Sequence, residues 1–384
     1  MLKKICFIIG SRANYSSIKS VMDEIKKDKN FKLSLILTTS SILQRYGEVS
    51  KIINKDGFKI NEKIFNLIEG ENPLTMAKST GLGLVELSTI FERIKPNLVF
   101  SVGDRFETMA TVLAASYMNI PLAHTMGGEV TGTIDESIRH AVTKLSHLHF
   151  PATKKSYDRI IKLGEEKKNI FLVGCPRVDY VKQVISKTKN LTRKIENLGV
   201  GRKIDFNKEF IILSYHPVTT EFSTIEKNFR IVLEVIEKSQ VPSIILWPNS
   251  DAGSSIISKV IRKYRERKKL QNARFYKNVP TDIYIELLNK ASCIIGNSSS
   301  GIREGAFIGV PCINIGTRQN SRERGKNVID VNYNEDEIKV ALEKQLKKKK
   351  YPRDVLYGDG SAGRKIVKIL KTIKKIKIQK KITY

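Results

Sequence analysis

Short blocks of consecutive apolar residues alternate along this chain with longer stretches whose apolar positions recur at helical spacing. "KICFIIG", "FKLSLILTT", "NLVFSV", "PLAHT" and "IFLVG" read as strands in the first half, and "FIILSYH", "PSIILWP", "ASCIIGN" and "PCINIG" in the second. Between them lie helix-length segments such as Thr75 to Arg93, Phe106 to Met118 and Thr224 to Lys238. Continuous apolar strands separated by helices predict parallel sheets covered on both faces. The stretch "TKNLTRKIENLGVGRKIDFNK", from Thr188 to Lys208, is polar and weakly patterned, and a new strand series follows it. The expected architecture is therefore α/β, with two Rossmann-like, doubly wound domains at residues 1–185 and 205–365. A basic tail, 366–384, is expected to be helical and to pack back on the first domain. Ligands of such folds bind beyond the carboxyl ends of the strands, which here means the cleft between the domains.

The chain has 384 residues, 41% of them hydrophobic, enough for two cores. No apolar run is long enough to span a membrane. The opening "MLKKICFIIGSRANYSS" reads as a first strand and not as a signal peptide. Four cysteines are widely spaced in or beside apolar segments, which fits reduced core thiols in a cytoplasmic protein. The five histidines are scattered, so no metal site is expected. The net charge of +29 raises a nucleic-acid role. Much of it sits in "EKQLKKKKYPRD" and in the lysine-rich tail, with few aromatics and no recognition motif, so a solvated lysine face is the plainer reading.

Candidate chemistry collects at the strand ends. "IIGSRANYSS" offers a glycine turn, Arg12 and Ser16 at a helix start, a setting that suits phosphate. "SVGDRFETMA" places Asp104 and Arg105 just after a strand, and an N-capping aspartate is the plainer alternative. "AHTMGGEVTGTIDESIRH" runs from His124 through Met126 and a double glycine to Glu129 and Asp135. In the second half, "LSYHPVTTE" carries His216 and "LWPNSDAGSS" carries Asn249 and Asp251. "CIIGNSSSGIREGAFIGVPCINIG" brings Ser298, Ser299, Gly301 and Glu304 to the start of a helix, and Arg318 follows the next strand. It is neither a P-loop nor a dinucleotide fingerprint. Anion-binding groups thus gather in the second half, and carboxylates with His124 in the first. A nucleotide diphosphate held by one domain would offer its sugar to acids and bases on the other.

"GSRANYS", "GDRFE", "GGEVTGTIDESIRHAVTKLSHLHF", "GCPRVD", "HPVTTE", "PNSDAGS" and "GNSSSGIREGAFIGVPCINIGTRQNSRERGKNV" together resemble the hydrolysing UDP-N-acetylglucosamine 2-epimerases, in the branch serving sialic-acid-type sugar synthesis. The resemblance runs in order from about Gly10 to Asn327. It implies the GT-B-type fold and conversion of UDP-N-acetylglucosamine to N-acetylmannosamine and UDP. The implied route is elimination to a 2-acetamidoglucal followed by hydration, without cofactor or metal. It also implies a homodimer or homotetramer, a nucleotide-sugar partner, and no nucleic acid or membrane.

Matched position by position, the resemblance gives Asp104 and Asp135 catalytic roles. Arg12, His216, Ser298, Ser299, Glu304 and Arg318 fall at nucleotide- and phosphate-binding positions. We count His216 and Glu129 with the catalytic candidates. Ser16, Asn249, Asp251 and Gly301 join the nucleotide set, and Arg105, His124 and Met126 are expected beside the sugar. The family often carries an acidic residue where this chain has Met126, and aspartate where it has Asn14. Either Glu129 or His124 supplies the missing proton transfer, or the sugar is less polar there. The alternative substrate is then a nucleotide-linked 2,4-diacetamido-2,4,6-trideoxyhexose, as for legionaminic-acid-type products. A GT-B glycosyltransferase is the remaining enzyme alternative.

Overall fold

The computed structural model describes residues 3–187, 195, 198–249 and 251–384. Six parallel strands form the first sheet: β1 (Lys3–Ile9), β2 (Phe31–Thr38), β3 (Glu62–Ile64), β4 (Leu98–Val102), β5 (Leu122–Thr125) and β6 (Leu148–Phe150). Their spatial order is β3-β2-β1-β4-β5-β6. The second sheet has seven strands in the order β13-β12-β11-β8-β9-β10-β7. Here β7 is Val200–Gly201, β8 Ile211–Ser214, β9 Ser243–Leu246, β10 Ala273–Tyr276, β11 Cys293–Gly296, β12 Cys312–Ile315 and β13 Val328–Val331. Only β7 runs antiparallel in this sheet. Strands such as β4 and β12 are buried along their whole length, which is why they read as unbroken apolar runs. The two domains make a GT-B-like architecture.

Several elements depart from the sequence reading. "IFLVG" is not a regular strand. Ile170 makes a single bridge to His149, and the chain then follows β6 irregularly through Phe171 N–H to His149 O (2.8 Å) and Val173 N–H to Pro151 O (3.3 Å). The short strands β3, β6, β7, β10 and β13 were not anticipated, because two to four residues give too little periodicity. The first part of the anticipated inter-domain stretch, 188–194 with 196 and 197, lies outside the described residues. Its later part already belongs to the second sheet, through β7.

The tail also differs. The chain returns to the first domain before residue 366: Cys175 N–H donates to Tyr357 O at 2.7 Å. A helix then runs Ala362–Thr372, its first N–H groups received by the Asp179 carboxylate at 2.9 and 2.7 Å. It stops at Thr372, so residues 373–384 are not helical. Continued helix would set Lys371 against Lys375 and Lys377 against Lys381 at like-charge spacing. The last residues instead lie against the first domain, where Lys380 Nζ meets Glu165 at 2.7 Å.

Among the described residues no helix is long and apolar enough to cross a membrane. The four cysteines are buried and unpaired. Between the domains the backbones approach closely. Gly132 N–H donates to Arg318 O at 3.2 Å, and a Cβ on Gly132 would lie 1.9 Å from Thr317 O, so only glycine fits there.

Candidate active site

One cavity of about 320 Å³ opens between the domains. Its lining comes from residues just beyond β1, β4 and β5 on one side and beyond β8, β9, β10 and β11 on the other. Both sheets therefore direct their carboxyl ends at it, as parallel strand order requires.

The first-domain wall carries Asp104, Arg105, Met126 and Asp135, with Arg12 and Ser16 near its edge. Asp104 and Arg105 follow Gly103, whose positive φ turns the chain at the end of β4. Asp104 is paired with Arg139, a fully buried arginine on the helix Asp135–Leu145. Arg105 donates Nε to Glu107 at 2.8 Å and reaches across the cleft to Asp251, also at 2.8 Å. Burial alone would weaken the Arg105 cation, but Asp251 and Glu107 more than offset it and raise its pKa. Asp135 opens its helix in the first turn, where the dipole favours a carboxylate. Asn14 ties two strand ends together, accepting from Gly10 N–H (3.3 Å) and donating to Val102 O (2.9 Å).

The second-domain wall is mostly amides and hydroxyls. Ser298 caps the helix Ser299–Ile308, and its Oγ lies 2.9 Å from Ser300 Oγ, which in turn meets Tyr284 OH at 2.5 Å. Asn297 fastens the His216 backbone with 2.8 Å bonds to both N–H and O. Arg318 donates to Asn297 O at 3.2 Å. Asn249 N–H donates to His216 Nδ1 at 3.3 Å, which fixes the tautomer with the proton on Nε2. Burial, with Arg318 next, lowers the His216 pKa from 6.5 to about 3, so the ring is a neutral donor. Asn249 also donates its side chain to Asp251.

Twelve of the sixteen residues singled out in the sequence line this cavity: Asp104, Asp135, His216, Arg12, Ser16, Asn249, Asp251, Ser298, Ser299, Arg318, Arg105 and Met126. Two of them are already engaged elsewhere. Arg12 spans the domains, donating to Val279 O (2.5 Å), Tyr46 O (3.0 Å) and Asn278 Oδ1 (2.8 Å). Its guanidinium is thus a clasp more than an open phosphate ligand. Ser16 Oγ bonds Ala13 O at 3.0 Å.

Glu129, His124, Gly301 and Glu304 do not line the cavity. Glu129 is 3% exposed, and one carboxylate oxygen meets Arg303 and Arg322 (3.2 Å) of the second domain. Held by two cations, it is a buried inter-domain bond and not an open base. His124 is fully buried on β5, between Gly103 O (3.1 Å) and Thr143 Oγ1 (3.3 Å), and burial lowers its pKa from 6.5 to about 3. It supports the turn that presents Asp104. Gly301 serves packing: a Cβ there would lie 2.5 Å from Cys312 Sγ. Glu304 is 1% exposed and pairs with Arg177 Nε of the first domain at 2.5 Å, so no ribose reaches it in this arrangement.

Sequence reasoning assigned no site role to Arg177, Arg303, Tyr284, Trp247 and Lys277, all of which line the cavity. Arg177 and Arg303 sat inside quoted motifs. Their signal was an arginine in the first turns of a helix. Trp247 and Lys277 follow β9 and β10 and carried no local signature.

Asp135 and Asp251 have opposite tendencies. Burial, then the charge of Asp251, raises the Asp135 pKa. Burial would also raise that of Asp251, but Arg105 and Arg318 outweigh it and hold the carboxyl below its usual range. Among the described residues, no group of three or more metal-ligating side chains could hold a metal ion.

A family model described as UDP-N-acetylglucosamine 2-epimerase matches residues 23–371. The chain is 36% identical to the UDP-N,N'-diacetylbacillosamine 2-epimerase (hydrolyzing) of Legionella pneumophila, over 97% of each chain. It is 34% identical to the GDP/UDP-N,N'-diacetylbacillosamine 2-epimerase (hydrolyzing) of Campylobacter jejuni, over 87% of this chain and 85% of that one. The crystal structure of the Methanocaldococcus jannaschii UDP-GlcNAc 2-epimerase, in complex with UDP-GlcNAc and UDP, superposes with a TM-score of 0.81 at 20% identity, over 96% of this chain and 99% of that one. With the cleft and its two unlike walls, these matches establish that the chain belongs to the UDP-N-acetylglucosamine 2-epimerase family of nucleotide-sugar enzymes.

Proposed function

We propose that this protein hydrolyses a nucleoside-diphosphate 2,4-diacetamido-2,4,6-trideoxyhexose and releases the free sugar inverted at C2. The observation that carries this choice is Met126. Its thioether is buried at the cavity wall, with Sδ 3.6 Å from Cys175 Sγ, an apolar floor at a position the family often fills with an acid. Such a floor suits a 6-methyl group and offers nothing to a 6-hydroxyl. The two relatives of 34% and 36% identity carry the diacetamido sugar in their names, which supports the same reading. UDP-N-acetylglucosamine, yielding N-acetylmannosamine and UDP, is the second reading, favoured by the family description itself.

The chemistry follows from the two walls. Loss of the diphosphate from C1 needs stabilisation of developing negative charge. Ser298, Ser299, the helix they open, Arg318 and the Nε2 proton of His216 supply it. Proton traffic at C2 needs acids and bases beside the ring, and Asp104 and Asp135 stand on the facing wall.

The experiment offers both UDP-sugars, and their GDP counterparts, to the protein in D2O and identifies the products by NMR. The expected result is faster release of a 2-epimerised diacetamido sugar carrying deuterium at C2. Faster turnover of UDP-N-acetylglucosamine would transfer the proposal to the second reading.

A further inference from the structure

The carboxylates that line the cavity are Asp104, Asp135 and Asp251. Two come from the first domain and one from the second. Inversion at C2 requires a proton to leave one face of the ring and another to arrive on the other face. One wall alone cannot reach both faces of a ring lying in the cleft. Met126 has no proton to move, and Glu129 and His124 are buried away from the cavity. That leaves a single carboxylate opposite Asp104 and Asp135.

Resting on the reading above, we propose that Asp251 is the catalytic base of the second-domain wall, taking the C2 proton that Asp135, across the cleft, later replaces from the other face. In the elimination, the electrons of the C2–H bond form the C1–C2 double bond. The C1–O bond breaks, its electron pair leaves with the nucleoside diphosphate, and the proton rests on Asp251. In the hydration, Asp135 gives its proton to C2, and the double-bond electrons form the new C2–H bond. Water oxygen bonds to C1, and the proton it sheds restores Asp135. Asp251 returns its proton to solvent. Nucleotide sugar and water become nucleotide, free sugar and one proton, and the enzyme is unchanged.

The surroundings of Asp251 fit a base held in one pose. Arg105 reaches it from the first domain at 2.8 Å, and Asn249 donates to its other oxygen. The Arg105 contact crosses between the domains, so it fixes Asp251 relative to the first-domain wall. The opposed tendencies of Asp135 and Asp251 favour a protonated acid on one wall and an ionised base on the other. An ionised carboxylate would repel a diphosphate, which argues against a phosphate-binding role for Asp251.

The test uses Asp251→Asn with UDP-linked diacetamido sugar and UDP-N-acetylglucosamine in D2O, beside Arg105→Ala. A catalytic base predicts a fall in kcat of about 10²–10⁴-fold. KM and UDP affinity should stay near wild type, and deuterium incorporation at C2 should fall with the rate. Near-normal kcat and C2 labelling in folded Asp251→Asn would overturn the proposal. So would a mere rise in KM shared with Arg105→Ala, which marks a closing contact only. If Asp251→Asn does not fold, Asp251→Glu keeps the Arg105 partner but displaces the base. It should lose kcat with KM retained, and unchanged kcat would equally defeat the idea. A wild-type protein that releases no nucleotide from either sugar would instead sink the proposed function.

Discussion

The two walls of the cleft use polarity differently. On the first, around residues 103–139, charged side chains dominate: Asp104, which is paired with Arg139 yet still lines the cavity, Arg105 and Asp135, with the buried pairing of Glu129 to Arg303 and Arg322 behind them. On the second, around residues 214–318, neutral donors dominate: hydroxyls, amides, a helix start and a neutral imidazole. Under the proposed function the difference follows from the tasks. A departing diphosphate is stabilised by fixed dipoles that need no proton exchange, whereas a C–H bond yields only to groups that can change charge. Lys277, Arg303 and Arg318 add cations to the second wall, and Asp251 is its one carboxylate at the cavity, held by Arg105 of the charged wall.

The largest effect should come from removing an ionisable group of the charged wall. Asp135→Asn keeps the shape and removes the proton carrier, so kcat should fall about 10²–10⁴-fold. UDP affinity should stay within about threefold of wild type, since the neutral wall is intact. Titration with UDP beside steady-state kinetics reads both. A large loss of UDP affinity would erase the proposed division between the walls.

Glu129 tests the seam between them. Glu129→Gln leaves Arg303 and Arg322 without their shared anion in a buried place. Breaking such a pair costs about 3–5 kcal/mol of stability. Urea unfolding measures it, and turnover per folded molecule should change far less than in Asp135→Asn. A stable Glu129→Gln protein with a rate collapsed to the Asp135→Asn level would return Glu129 to the proton-transfer set.

On the neutral wall, Arg318→Ala should weaken UDP binding by about 10–100-fold, the loss of one or two charge-assisted bonds at roughly 1.5–3 kcal/mol. Calorimetric titration with UDP checks it. Unchanged affinity would remove Arg318 from the diphosphate site.

What the sequence made legible was the strand ends. Apolar runs ending in Gly103, in Met126 with its glycines, and in Gly296 marked the points where parallel strands empty into the cleft. Asp104, Asp135 and Ser298 follow from that alone. The direction of each side chain beyond those ends was not legible. His124 and Met126 are two residues apart at the end of β5, yet the first is enclosed by Gly103 and Thr143 while the second reaches the cavity with φ +60°. Glu129 and Glu304 also read as site residues, because a lone carboxylate after a glycine looks the same whether it meets substrate or an arginine from the other domain. Such partners lie more than a hundred residues away, so no local pattern announces them.

The smallest effect separates two histidines, His124 enclosed behind the first wall and His216 lining the second. Both His124 and His216 have a folded-state pKa lowered from 6.5 to about 3, burial being the main cause. A depressed pKa means each contributes stability that is fully present above pH 6.5 and is lost as pH falls toward 3. Each neutral histidine then costs about 1.4 kcal/mol per pH unit below 6.5. His124→Gln keeps a donor for Gly103 O and cannot titrate, so unfolding free energy measured from pH 7 to pH 5 should fall less steeply than in wild type, by one proton's worth of slope. Turnover at pH 7.5 should stay within a few-fold, since the ring never meets the cavity. His216→Ala should flatten the same slope by a similar amount but also lower kcat, because it removes the Nε2 donor from the second wall. Equal kinetic losses in the two variants would mean that His124 serves the sugar after all, and the contrast between an inner support and a cavity donor would collapse.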